Sequence, residues 1–242
     1  MSVVTEMAKR FVHRFGRWYI GLMVEEEYKS STFRWINERP VEYSFLFRQL
    51  ARFFPKAVLD VGTGMTALPH LLRTCGCLVT AVDNIRDYWL PGDHFNRHFH
   101  VVDDDICSSR LAGTFDFITC ISVLEHLDHP EAAVRSMCKL LNTGGHLVLT
   151  FPYNETTFVE NVYSCPEAGY GKDEPYKCAV YSRTQLDQWV SANNTRICEQ
   201  EYWKCFTGKM WTFGERLAPV KLAPQEQEHD LTCVLLEKNP SV

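Results

Sequence analysis

An apolar run that ends in a glycine-punctuated turn constrains this chain more than any other stretch: Ala57-Val58-Leu59-Asp60-Val61-Gly62-Thr63-Gly64-Met65-Thr66-Ala67. Aliphatic residues lead into the two glycines, and Ala67 to Arg73 then reads as helix. That order spells a parallel strand, a tight turn and a crossover helix, with the turn able to hold a ligand close to the backbone. The glycines allow a sharp bend and remove side chains that would keep a ligand away.

The chain after this turn keeps the same rhythm. Strands are expected at Ala57 to Val61, Leu78 to Val82, His98 to Val102, Phe115 to Ile121 and His146 to Phe151. Helices are expected over Ala67 to Cys75 and Pro130 to Leu141, and residues 88–96 read as a loop or short irregular helix around Pro91-Gly92. Ser182 caps a helix over Arg183 to Ala192, and Arg196 to Phe206 and Leu231 to Glu237 form two late strands joined as an antiparallel edge hairpin. The expected architecture is α/β, a doubly wound seven-stranded sheet, mostly parallel. Two stretches interrupt it, 153–179 and 207–230. Each is aromatic and polar without a clear period, the mark of a lid or binding loop.

Upstream, Val3 to Tyr28 carries Met7, Phe11, Phe15, Trp18 and Leu22 at helical spacing, with basic residues between them. A second helix opens at Glu38-Arg39-Pro40 and runs to Phe53 before Pro55. Residues 1–55 therefore read as an N-terminal helical cover and 56–242 as the main domain. The first helix also admits a membrane-surface reading, which Glu25-Glu26-Glu27 and a modest basic count disfavour, so no stable membrane association is expected.

Bulk properties narrow the partners. A chain of 242 residues with 45% hydrophobic content can bury a sizeable core. A net charge of −5 and no basic run interleaved with aromatics argue against nucleic acid. The ten cysteines include no Cys-x-x-Cys pair and no metal-ligand spacing, so no metal site is expected and the thiols read as reduced. The N-terminus lacks a signal-peptide layout and no apolar run approaches bilayer-spanning length, which together predict a soluble, cytoplasmic protein. The oligomeric state is left open.

Four further segments carry chemistry. Val79-Thr80-Ala81-Val82-Asp83-Asn84 puts Asp83 about twenty residues beyond the glycine turn, where a carboxylate can accept from both hydroxyls of a ribose. Val101-Val102-Asp103-Asp104-Asp105-Ile106 ends the third strand in three aspartates. Phe115-Asp116-Phe117-Ile118-Thr119-Cys120-Ile121-Ser122-Val123-Leu124-Glu125-His126-Leu127 is an apolar strand closed by Leu-Glu-His-Leu. Asn142-Thr143-Gly144-Gly145-His146-Leu147 turns from helix into strand.

In this order the segments resemble the class I S-adenosylmethionine-dependent methyltransferases, in particular the small-molecule group. The resemblance covers roughly Val58 to Pro152, with weaker support from Tyr181 to Trp203, and implies a Rossmann-like fold. It implies that Asp60, Gly62, Thr63 and Gly64 hold the cofactor and that Asp83 and Asn84 meet its ribose. It gives Asp105 with Ile106 to adenine, with Asp104 a close alternative, and sets Cys120, Ile121 and Ser122 beside the methionine portion. Asp60 separates this family from nicotinamide-dependent oxidoreductases, since an aspartate there repels a pyrophosphate and favours an ammonium and a sulfonium. A nicotinamide enzyme and a non-catalytic cofactor-binding scaffold are the competing readings.

His126 is the candidate general base, with structural and substrate-orienting roles as alternatives. Tyr153, Tyr163, Tyr170, Tyr181 and Trp203 are candidates for lining the pocket of a small-molecule acceptor, and core or lid packing is the alternative for each. Glu38-Arg39-Pro40-Val41-Glu42-Tyr43 is similar to Glu-Arg-x-x-Glu-Tyr stretches in some methyltransferases of surface-polysaccharide and natural-product pathways. That likeness points Arg39 or Glu42 into the cleft, and the competing reading is a helix with a surface ion pair.

Overall fold

The structure, a computed structural model, describes residues 3–30, 37–86 and 96–240. It comprises two compact units, Met1–Asn37 and Glu38–Val242. The first holds one helix, α1 (Val3–Ser30), with Lys29 paired to Glu25 at 2.6 Å and the Phe15 and Trp18 rings 5.7 Å apart. Among the described residues no helix is long and apolar enough to cross a membrane.

The second unit begins with α2 (Arg39–Phe53), Pro40 sitting in its first turn as the sequence predicts. Glu42, Phe45, Leu46, Gln49 and Leu50 form its buried face at helical spacing. The helix ends where Phe54 turns left-handed at φ 46° and donates its N–H to the Leu50 carbonyl. Phe45, Leu46 and Leu50 pack with Val58, Phe117, Val148 and Leu235, so α2 is built onto one face of the sheet.

The sheet has eight strands: β1 (Ala57–Val61), β2 (Leu78–Asp83), β3 (Val101–Asp103), β4 (Phe115–Ile121), β5 (Leu141–Pro152), β6 (Thr195–Phe206), β7 (Arg216–Ala223) and β8 (Leu231–Lys238). Their order is β3-β2-β1-β4-β5-β8-β6-β7. The first five run parallel, and β8, β6 and β7 are antiparallel. The doubly wound, mostly parallel expectation holds, but the expected count of seven is one short. The extra strand, β7, lies inside 207–230, which reads from sequence as an excursion. It is a half-exposed edge strand containing Pro219, so it shows little apolar alternation.

Helices α3 (Leu68–Thr74), α4 (Pro130–Leu140) and α5 (Arg183–Ala192) complete the fold. Ala133, Val134, Met137, Leu186 and Trp189 cover the other face of the sheet. Asp116 fixes the base of β4 to its neighbours, accepting from the backbone of Lys56 and Ala57 and from Asn142 Nδ2. The strand order reverses between β1 and β4, which opens a crevice at their carboxyl ends.

Segment 153–179 shares a separate apolar cluster with β6 and the residues on either side of β7. Val162, Tyr163, Cys178 and Val180 pack with Phe206, Trp211 and Leu231. The end of the segment is stitched to the turn after β4: Ala179 N–H donates to the Glu125 carbonyl and Tyr181 Oη donates to the Leu124 carbonyl. The expected loop at 88–96 falls, but for Asn96, outside the described residues.

Candidate functional site

A cavity of about 970 Å³ opens in the crevice at the ends of β1 and β4. Its floor is the glycine turn. Gly62 sits at φ +69°, where a Cβ would drive into the Val123 side chain, and Gly64 sits at φ +55° with open space where a side chain would project. Asp60, one residue inside the end of β1, is buried, and both its oxygens are engaged. Thr63 Oγ1 donates to Oδ2 at 2.7 Å and Thr119 Oγ1 donates to Oδ1 at 2.6 Å. Burial pushes the Asp60 carboxyl up to about 6 against the pull of those two hydroxyls. A cation entering the cavity would favour its ionised form.

Asp83 ends β2 and accepts the Gly64 N–H at 2.6 Å, and Asp83 and Asn84 both border the cavity. Asn96 ties the same turn from below, donating to the carbonyls of Gly64 and Thr66. Sequence reasoning passed over Asn96, which sits at the edge of a stretch without periodicity.

Asp104, Asp105 and Ile106 all reach the cavity. Asp104 is buried and committed inward, accepting from Ser109 Oγ, Arg110 N and Arg110 Nε. Asp105 caps the short 3-10 turn Ile106–Ser108 by accepting the Cys107 N–H and stays exposed. Ile121 and Ser122 line the cavity from the end of β4, Ser122 in a left-handed conformation at φ 50°. Cys120, expected beside them, does not border the cavity: it is fully buried in the central core on the alternate face of the strand.

His126 borders the cavity, in the one-turn 3-10 segment Leu124–His126. Its Nδ1 lies 2.7 Å from the Lys177 carbonyl, and its ring meets Tyr176 edge-on at 4.9 Å. Burial lowers its pKa below the ordinary histidine value, outweighing the bond to Lys177, and the Arg39 charge adds to the fall. Behind it, Glu125 is buried with Oε2 lacking a hydrogen-bond partner among the described residues, and burial pushes its carboxyl up to about 8.

The aromatic expectation for the acceptor side needs correction. Tyr153 stacks on His229 and donates to Glu155, Tyr163 packs in the second core with Cys178, and Tyr181 is buried against Trp189. Tyr170 packs on Phe206, and Trp203 Nε1 donates to Glu201. None of the five borders the cavity. Their polar atoms and rings are taken up by protein partners, some two residues away and some across the fold. Tyr43 and Tyr176 border it instead, together with Arg39 and Lys177. Arg39 and Tyr43 come from the Glu-Arg-Pro-Val-Glu-Tyr stretch, so the signal for them was present.

Residues 37–200 match the family described as "Methyltransferase domain". The chain belongs to this methyltransferase-domain family. The class I methyltransferase resemblance read from the motifs is therefore borne out. Among curated proteins, this methyltransferase-family chain is similar to the ubiquinone biosynthesis O-methyltransferase of Vibrio parahaemolyticus, 28% identical over 147 residues, 57% of this chain and 59% of that protein. It is similar also to the enzyme of the same name from Chromobacterium violaceum, 31% identical over 124 residues, 48% of this chain and 53% of that protein. The chain thus spans little more than half the length of these relatives.

Among solved structures, it resembles 1,6-didemethyltoxoflavin-N1-methyltransferase from Burkholderia thailandensis, with S-adenosylhomocysteine bound there. The TM-score is 0.56 at 15% identity, covering 94% of this chain and 90% of that one. Magnesium protoporphyrin IX methyltransferase from Synechocystis PCC 6803 gives 0.51 at 14% identity, covering 94% and 100%. These likenesses show the shared methyltransferase fold.

Proposed function

We propose that this chain is an S-adenosylmethionine-dependent methyltransferase that transfers a methyl group in line to a small-molecule acceptor. The observation that carries the reading is the buried Asp60 beneath the glycine turn, at the head of an otherwise acidic cavity. An ammonium and a sulfonium suit that surface and a pyrophosphate does not. The open space over Gly64 leaves room for a ligand to lie on the backbone, so the residues present fit the cofactor.

On this reading Asp60, Gly62, Thr63 and Gly64 form the floor under the cofactor, and Asp83 with Asn84 takes its ribose. Asp105 and Ile106 take adenine, because Asp105 is exposed at the cavity whereas Asp104 is buried against Ser109 and Arg110. Arg39 borders the cavity beside Ser122 and Tyr43, and it is the cation assigned to the amino-acid carboxylate. Ile121 and Ser122 stand at the methionine end. The cofactor supplies an activated methyl group, and the chain's part is to align it, exclude water and handle the acceptor's proton. His126 is the group for that proton. Its Nδ1 faces a carbonyl, which only accepts, so Nδ1 carries the hydrogen and Nε2 is the basic nitrogen.

A hydroxyl acceptor fits this arrangement best, since O-methylation releases a proton that a neutral imidazole can take. The ubiquinone biosynthesis O-methyltransferase relatives support the same acceptor atom. A thermal-shift comparison tests the cofactor assignment. S-adenosylhomocysteine is expected to raise the melting temperature and NAD to leave it unchanged, and the reverse would favour the oxidoreductase reading.

A further inference from the structure

The carboxylate of Glu42 is completely buried, on α2 and just outside the cavity wall. Its neighbours along the same helix face are Phe45, Leu46 and Leu50, an environment that an apolar side chain would satisfy at lower cost. Three partners hold it there. Arg39 Nη1 donates to Oε2 at 2.7 Å, while Ser122 Oγ and Thr150 Oγ1 donate to Oε1 at 2.7 and 2.6 Å. The partners come from the first turn of α2, the residue just after β4 and the carboxyl end of β5.

Two of these three, Arg39 and Ser122, border the cavity, whereas Glu42 does not. Arg39 keeps its charge although burial works against it, because Glu42 and Glu38 lie close by. Ser122 is a non-glycine residue at φ 50°, a conformation that persists where surrounding bonds hold it. Its N–H donates to the carbonyl and to the hydroxyl of Thr150, both at 3.0 Å, and that hydroxyl in turn donates to Glu42. One carboxylate thus sets the direction of the guanidinium and the backbone of the residue at the methionine end.

We infer that Glu42 is a positioning residue for the amino-acid end of the methyl donor. It aims Arg39 at the donor's carboxylate and fixes Ser122 where the methyl group departs. The inference rests on the cofactor reading above and adds that recognition of the amino-acid end is organised from outside the cavity. A simple staple between α2 and the sheet is the competing explanation.

The two differ in ligand selectivity. S-adenosylhomocysteine carries the amino-acid end, whereas 5′-methylthioadenosine keeps the adenosine and the sulfur without it. Calorimetry on the full chain, wild type and Glu42→Gln, measures both ligands, with melting temperatures recorded in parallel. Glu42→Gln is expected to weaken S-adenosylhomocysteine at least tenfold and 5′-methylthioadenosine by less than twofold. Arg39→Ala should show the same selectivity, and the double variant should weaken S-adenosylhomocysteine by less than the product of the two single-variant losses. Equal weakening of both ligands identifies a staple and overturns the inference, as does an unchanged affinity for S-adenosylhomocysteine or additivity in the double variant. If the glutamine variant does not fold, Glu42→Asp keeps the charge but shortens its reach, and the same selectivity is the test. A folded wild type that binds neither ligand overturns the cofactor reading itself, a result visible before any variant is made.

Discussion

The Nδ1 atom of His126 lies 2.7 Å from the backbone carbonyl of Lys177, which joins the turn after β4 to the 175–177 stretch that lines the cavity. A carbonyl only accepts, so this bond favours the tautomer with the hydrogen on Nδ1, and on the proposed reading Nε2 takes the acceptor's proton. His126→Gln keeps a hydrogen-bonding side chain and removes the base. Turnover on a hydroxyl acceptor should fall on the order of 10²-fold or more, with S-adenosylhomocysteine affinity little changed. Steady-state kinetics and calorimetry on the same preparation check both halves.

The pH dependence of that turnover follows from the direction of the His126 shift. Burial and Arg39 depress its pKa, so the neutral, working form persists to more acidic pH than an ordinary histidine allows. The acidic limb of the rate profile should therefore lie below about 6.5, the unperturbed histidine value, and should vanish in His126→Gln.

Stability carries a different pH signature. Burial raises Glu125 to about 8 and Asp60 to about 6, so the folded state holds these protons more tightly than the unfolded chain does. Their contribution is fully present below the ordinary carboxylate range and is lost as pH rises through those values. His126, His146 and His229 are shifted down by burial and act in the opposite sense, losing stability as pH falls below the ordinary histidine value. Between pH 7 and 8.5 the histidines are neutral in both states and Glu125 dominates. Denaturant midpoints should fall across that window in wild type and stay flatter in Glu125→Gln.

Gly62 is the turn position with least tolerance. A Cβ there meets Val123, and the backbone is left-handed at φ +69°. Gly62→Ala should cost about 1–3 kcal/mol in chemical unfolding, combining strain with overpacking. Gly64→Ala meets open space, so its expected loss is in cofactor affinity more than in packing.

Much of the site was legible because its determinants are local. The apolar run, the two glycines and Asp83 lie within 27 residues of one another, Ala57 to Asp83, and a strand, a turn and a second strand can be read from period and punctuation. The family match then agrees with what those motifs imply. What sequence missed depends on distant partners. Tyr153 and Tyr181 read as acceptor-pocket aromatics until His229 is found stacked on the one and the Leu124 carbonyl bonded to the other. Glu42 looks like half of a surface ion pair until Ser122 and Thr150, 80 and 108 residues away, are found on its other oxygen. Strand β7 was hidden because its half-exposed edge position demands no apolar alternation.

The central claim is that the crevice between β1 and β4 receives S-adenosylmethionine, and titration calorimetry with S-adenosylhomocysteine tests it most directly. The folded wild-type chain is expected to bind with micromolar affinity, and Asp83→Ala to bind more weakly by about 1–3 kcal/mol through loss of a charged hydrogen-bonding partner. Absence of binding by folded wild-type protein would contradict the claim, and an unchanged affinity in Asp83→Ala would contradict the ribose assignment.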